Sequence, residues 1–85
     1  MIKLPIVFPE GVQMTRSIAA TLVQVAAHFE ARIMIERGQK IVNAKSTLGL
    51  LSLYTDIGEG MVLVADGEDE KAAAEAMQAA VAALK

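Results

Sequence analysis

The sequence predicts a two-layer α+β arrangement in which two long helices cover one face of a four-stranded sheet. Three observations carry that expectation. Residues 18–29 and 70–84 repeat apolar side chains at helical spacing, and four short segments rich in branched side chains are bounded by Gly, Pro or Asp-Gly breaks. These elements follow one another as β-α-β-β-α-β-α within 85 residues, close to the smallest size that folds without staples, so one domain over residues 1–85 is expected.

Residues 3–8 are short and rich in branched side chains, and Pro5 lacks the N–H that a central strand would need, so this strand belongs at a sheet edge. Pro9-Glu10-Gly11 breaks the chain. Ile18, Leu22, Val25, Ala26 and Phe29 then form the buried stripe of a first helix, with Thr21, Gln24 and His28 on its opposite face. Residues 32–37 alternate, Ile33 and Ile35 on one side and Arg32, Met34 and Glu36 on the other. Gly38-Gln39 turns the chain and residues 40–43 return, completing a hairpin. A short helix over residues 47–51, a loop with Gly58 and Gly60, and a strand over residues 61–65 ended by Asp66-Gly67 come next. Glu68, Asp69 and Glu70 place negative charge where a helix N-terminus favours it, and Ala73, Met77, Ala80, Val81 and Leu84 are the stripe of the last helix.

Composition narrows the function. The chain has no cysteine, which removes disulfide frameworks and thiolate zinc sites and fits a reducing cytoplasm, where the protein is expected. Neither a signal-peptide pattern nor an apolar run of roughly 20 residues is present, so no membrane association is expected. Net charge is −2, from eight basic and ten acidic residues, and only Phe8, Phe29 and Tyr54 are aromatic, which disfavours direct nucleic-acid binding. No nucleophile-base pair, metal cluster or phosphate-cradling glycine loop can be assembled, so neither an enzyme nor a cofactor or metal site is expected.

The run Val42-Asn43-Ala44-Lys45-Ser46-Thr47-Leu48-Gly49-Leu50-Leu51-Ser52-Leu53 ends a strand in a serine at a helix start. It resembles the regulatory serine segment of HPr, the histidine-containing phosphocarrier of the bacterial sugar phosphotransferase system. Ala19, Leu22-Val23-Gln24, Ala26 and Phe29, the turn at Gly38 and Gly67-Glu68-Asp69-Glu70 extend the resemblance along the chain without a gap. It implies the HPr fold, an open-faced sandwich whose antiparallel sheet is covered on one face. It also implies that Ser46 is a regulatory phosphorylation site, although serine is equally a preferred N-cap and would stand there without any kinase.

The family's second motif, G-[ILV]-H-A-R-P-A, carries its phosphate relay, and here it is gone. In the ungapped register its histidine falls at Thr15, its arginine at Ser17 and its proline at Ile18; a two-residue shift that aligns Gly11 puts Gln13 at the histidine. A phosphoramidate stays reactive and can be handed on. Thr15 or Ser17 would give stable esters and Gln13 neither, so no catalytic residue is assigned. Thr15 and Ser17 read more simply as helix caps. His28, about 16 Å along the helix, reads as a solvated side chain.

For partner binding the resemblance points to Arg16, Ser17, Ile18, Lys45, Thr47, Leu48 and Leu51. Arg16 stands one place from the motif arginine, and its bland alternative is a solvated loop residue. Thr47 replaces an apolar residue and should weaken docking by ~1 kcal/mol, while Met14 and Ile18 add apolar area. At least one of Leu48 and Leu51 is expected to be partly in the core. An intact serine beside a missing histidine suggests a regulatory module like the catabolite-repression paralogues, with HPr kinase and a LacI-type transcription regulator as partners. The altered Thr15-Arg16-Ser17-Ile18 segment suggests instead a divergent homologue serving another partner, and an active phosphocarrier ranks last. A monomer is expected.

Overall fold

The computed structural model describes residues 1–53 and 60–84. Its elements run β1 (Ile2–Ile6), α1 (Arg16–Ala27), β2 (Arg32–Arg37), β3 (Lys40–Asn43), α2 (Thr47–Leu51), β4 (Met61–Asp66) and α3 (Glu70–Ala82), the predicted order. All strands pair antiparallel in one sheet of order β1-β4-β2-β3. Pro5 does lie in an edge strand. The expected loop glycine at position 58 falls outside the described residues.

Strand register decides what each face holds. Ile6, Met61, Leu63, Ala65, Ile33, Ile35 and Val42 point to the helical side and are buried. Onto them α3 brings Ala73, Ala74, Met77 and Val81, and α1 brings Ala19, Leu22 and Ala26. α3 packs on β1, β4 and β2 and along α1, whereas α2 packs on α1 and β3.

The first strand's bounds and the buried lines of the two long helices differ from the expectation. β1 starts one residue earlier and ends at Ile6, not Phe8, because the chain already leaves the sheet there. Val12 N–H donates to the Pro9 carbonyl at 3.1 Å, and Gly11 supplies the positive φ of 84° that this type of turn needs. The turn folds Phe8 and Val12 inward, 4% and 5% exposed, so the apolar residue read as strand plugs a loop. On α1 the fully buried line is Ala19, Leu22 and Ala26, while Ile18, Val25 and Phe29 are half-buried. On α3 it includes Ala74, while Ala80 and Leu84 are half-buried. Alanine lets the backbones approach, so the helices settle with their smallest side chains closest to their neighbours.

Asp69 joins the two layers' ends. It precedes α3 but makes no side-chain cap there; its carboxylate accepts from Glu30 N at 2.9 Å and Ala31 N at 2.8 Å, just beyond α1. Those donors hold its carboxyl below the usual carboxylate range, with the nearby Lys45 charge adding to them. Glu70, the first residue of α3, braces the turn that leads into the helix, its carboxylate accepting from Gly67 N at 3.2 Å. Gly67 has φ 154°, and a Cβ there would meet Ala31 Cα at 2.7 Å. Only glycine lets this turn lie flat on Ala31.

Candidate functional site

Two helix starts carry the residues that the sequence singled out. At the first, Thr15 is the N-cap of α1: extended, with φ −122° and ψ 169°, its Oγ1 accepts from Ile18 N at 3.2 Å. Ser17 does not cap. It lies inside the first turn, and its carbonyl accepts from Thr21 Oγ1 at 3.0 Å. Gln13, Arg16 and Ser17 are exposed, whereas Met14 and Ile18 are half-buried against the core.

At the second start, Asn43 organises the chain between β3 and α2. Its side-chain oxygen accepts from Lys45 N at 2.8 Å and its carbonyl from Ser46 N at 3.0 Å, while Ala44 N donates to Ile33 O at 2.9 Å and so ties the segment to β2. Ala44 is fully buried beneath. These bonds hold Ser46 extended at φ −116° and ψ 115°, where its Oγ accepts from Gly49 N at 3.1 Å. Ser46 is therefore the N-cap of α2, and its hydroxyl is half-buried rather than sealed. A side chain at Gly49 would put its Cβ 3.4 Å from Ser46 Oγ, so the glycine leaves the hydroxyl one open flank.

α2 divides its leucines sharply. Leu50 is fully buried, Leu51 is half-buried against the core, and Leu48 is 81% exposed. Thr47 is exposed beside it. Of the pair expected to include a partly core residue, Leu51 is that residue. Lys45 turns the other way, its Nζ donating to the Phe29 carbonyl at 2.6 Å beyond the end of α1. Its charge is engaged within the chain. Lys40 and Arg37 similarly donate to the Ser52 and Leu53 carbonyls after α2.

His28 is placed at the other end of α1 as its C-cap, exposed, with Nδ1 2.7 Å from the Gln24 carbonyl. A twelve-residue helix, roughly 18 Å at 1.5 Å per residue, separates it from Thr15. α1 and α2 pack on each other, which makes Thr15-Arg16-Ser17-Ile18 and Ser46-Thr47-Leu48-Leu51 parts of neighbouring elements, and His28 part of neither start. Chemically, the hydroxyls of Thr15 and Ser46 can carry a phosphoryl group as a stable ester, and no imidazole stands at either start. Sequence reasoning did not find Asn43 and Leu50. An Asn two residues before a chain reversal is a recognisable turn signal for the first; nothing in a five-residue apolar run distinguishes the second.

A family model, the PTS HPr component phosphorylation site, matches residues 3–83. The chain is 44% identical over 63 residues to the HPr-like protein Crh of Bacillus subtilis, covering 74% of each. Among solved structures, HPr-C-His from Thermoanaerobacter tengcongensis superposes with a TM-score of 0.87 at 33% identity, covering 95% of this chain and 91% of that one. A crystal structure of B. subtilis Crh gives 0.76 at 37% identity, covering 86% of each chain, and is described as a dimer with a swapping domain. The expectation of a monomer is therefore not supported by this relative, in which segments are exchanged between two copies. The fold order, the capped serine start and the match along nearly the whole chain lead to one assignment: this protein belongs to the HPr family of the phosphotransferase system, as an atypical member without a histidine at the relay position.

Proposed function

We propose that this chain is a regulatory binding module, modified on Ser46, rather than a carrier that relays phosphate. The observation that carries the reading is the contrast between the two helix starts. One retains a capping serine, half-buried, with an exposed Leu48 two residues on; the other has a capping threonine where relay chemistry needs an imidazole. His28 does not substitute for it, being a helix length away with one ring nitrogen engaged by Gln24. The partners in this reading are an HPr kinase and a LacI-type transcription regulator, met in the cytoplasm, and Leu48, Leu51, Thr47, Ile18, Ser17 and Arg16 form the contact surface. Lys45 supports that surface by tying its base to Phe29.

Phosphorylation adds about two negative charges and three acceptor oxygens beside the Gly49 amide and an exposed leucine. That converts an apolar spot into an anionic one flanked by apolar area, which is a mark that a partner can read. Incubation with an HPr kinase and ATP should add one acid-stable phosphate, absent in Ser46→Ala. Incubation with enzyme I and phosphoenolpyruvate should add none. Failure of the kinase to modify this protein while it modifies an ordinary HPr overturns the reading, and an acid-labile phosphate at His28 overturns the loss of relay. A second reading, a divergent homologue that serves another partner, is favoured by Arg16 and Ile18 at the start of α1, because they change the direction of charge and shape there.

A further inference from the structure

Gly49 stands in the first turn of α2 with an ordinary right-handed backbone, unlike Gly11, Gly38 and Gly67, whose positive φ values favour glycine at those positions. Inside a helix glycine is a poor choice, since it loses more backbone freedom on folding than alanine and ranks well below it in propensity. A helix of five residues has little propensity to spare. Packing does not demand the glycine either. A Cβ at position 49 would meet Asn43 O, Ser46 Cβ and Ser46 Oγ, each at 3.4 Å and with no atom nearer, which is ordinary contact. Alanine therefore fits the unmodified chain. What its methyl would take is the space beside one hydroxyl.

We infer that Gly49 is a specificity-determining residue for modification of Ser46, its missing side chain being the room that the phosphoryl group needs; this rests on the reading of Ser46 as the modified residue. Position 49 is the one that matters because of how Ser46 is held. Its Oγ accepts from Gly49 N at 3.1 Å, which turns the hydroxyl towards the first turn of α2, and its own N–H donates to the Asn43 carbonyl at 3.0 Å, which fixes the backbone. In the transfer Oγ bonds to the γ-phosphorus of ATP, the bond from that phosphorus to the β–γ bridging oxygen breaks to release ADP, and the hydroxyl proton passes to a base of the kinase. The phosphoryl group brings three further oxygens around Oγ. A methyl centred 3.4 Å from Oγ touches the free serine harmlessly but stands in the volume those oxygens sweep, both during transfer and in the product. The role is steric. Leu48, 81% exposed, is unaltered by it, so docking of a partner there is retained.

Gly49→Ala tests this, with thermal unfolding and kinase kinetics as separate measurements. Unmodified, the variant should unfold at or above the wild-type temperature. With an HPr kinase and ATP its kcat should fall at least about tenfold, while KM stays within about twofold of wild type. Both chains are also made by chemical synthesis with phosphoserine at position 46, which needs no kinase. Phosphorylation should then lower the Tm of Gly49→Ala by about 4–8 °C more than it changes that of wild type, the shift expected of one overpacked contact. A lower Tm of unmodified Gly49→Ala overturns the inference, because the glycine then serves the fold. An unchanged kcat overturns it as well, and so does an equal effect of phosphorylation on the two synthetic chains. A kinase that modifies neither chain overturns the phosphorylation reading, whereas equal effects in the synthetic pair overturn only the role of Gly49.

Discussion

Asp69 and Gly67 act on the same few atoms around Ala31, one by attraction and the other by leaving room. Asp69 gains its two backbone donors only in the folded chain, so its carboxyl titrates lower there than when unfolded. Stability from this contact is present above about pH 4, the ordinary carboxylate value, and is lost as pH falls through the lowered folded value. Thermal unfolding should show Asp69→Asn destabilised at pH 7, with the gap to wild type closing below pH 4. Gly67→Ala should cost about 3 kcal/mol in urea titrations, since its Cβ collides with Ala31 backbone that cannot yield as a side-chain tip would. Thr15→Ala should cost about 1 kcal/mol, the usual value of a lost N-cap, and leave the fold intact. Capping at Thr15 and Ser46 was legible in the sequence as a hydroxyl directly before an apolar run, although the same pattern also offered Ser17, which lies inside the first turn instead. The bridging role of Asp69 was not, because it depends on residues some forty places away.

Helix α2 is short enough that its position comes from packing and not from its own propensity. Leu50 reaches the core and Leu48 faces away, so Leu50→Ala should lose about 2–5 kcal/mol and Leu48→Ala less than about 0.5 kcal/mol by chemical denaturation. If both leucines lost stability equally, the division of this helix into a core side and a contact side would be wrong. The same division was only half legible beforehand. Thr47 to Leu51 was read as a helix and Leu51 falls where one of the leucines was expected, yet helical periodicity cannot be measured over little more than one turn. Helix α1 shows the converse. Its length made its apolar side readable, and the structure shifted the line of deepest burial by a residue because Ala19 permits closer approach than Ile18.

Across the whole molecule, the sheet order β1-β4-β2-β3 pairs the first strand with the last, joining Ile2 to Ala65. The β3 edge closes locally through the Gly38-Gln39 hairpin, but the β1–β4 and β2–β4 pairings each close a long loop, so folding should be a millisecond-scale process and not a microsecond one, as stopped-flow refolding would measure. β4 sits between β1 and β2 and presents Leu63 and Ala65 to α3, which makes it the strand on which both layers depend.

Local pattern determined the elements, their order, the edge position of Pro5 and the family, because period, turn chemistry and a serine motif are all written within a few adjacent residues. It also determined the absence of an imidazole at the relay position, which is a matter of identity alone. Tertiary structure decided the rest: that Phe8 plugs a loop, that Lys45 faces Phe29 instead of solvent, that Leu48 stands free, and that Asp69 reaches the backbone beyond α1. Each depends on what packs against the residue from a distant part of the chain, and burial and charge pairing are properties of that meeting, not of the local sequence.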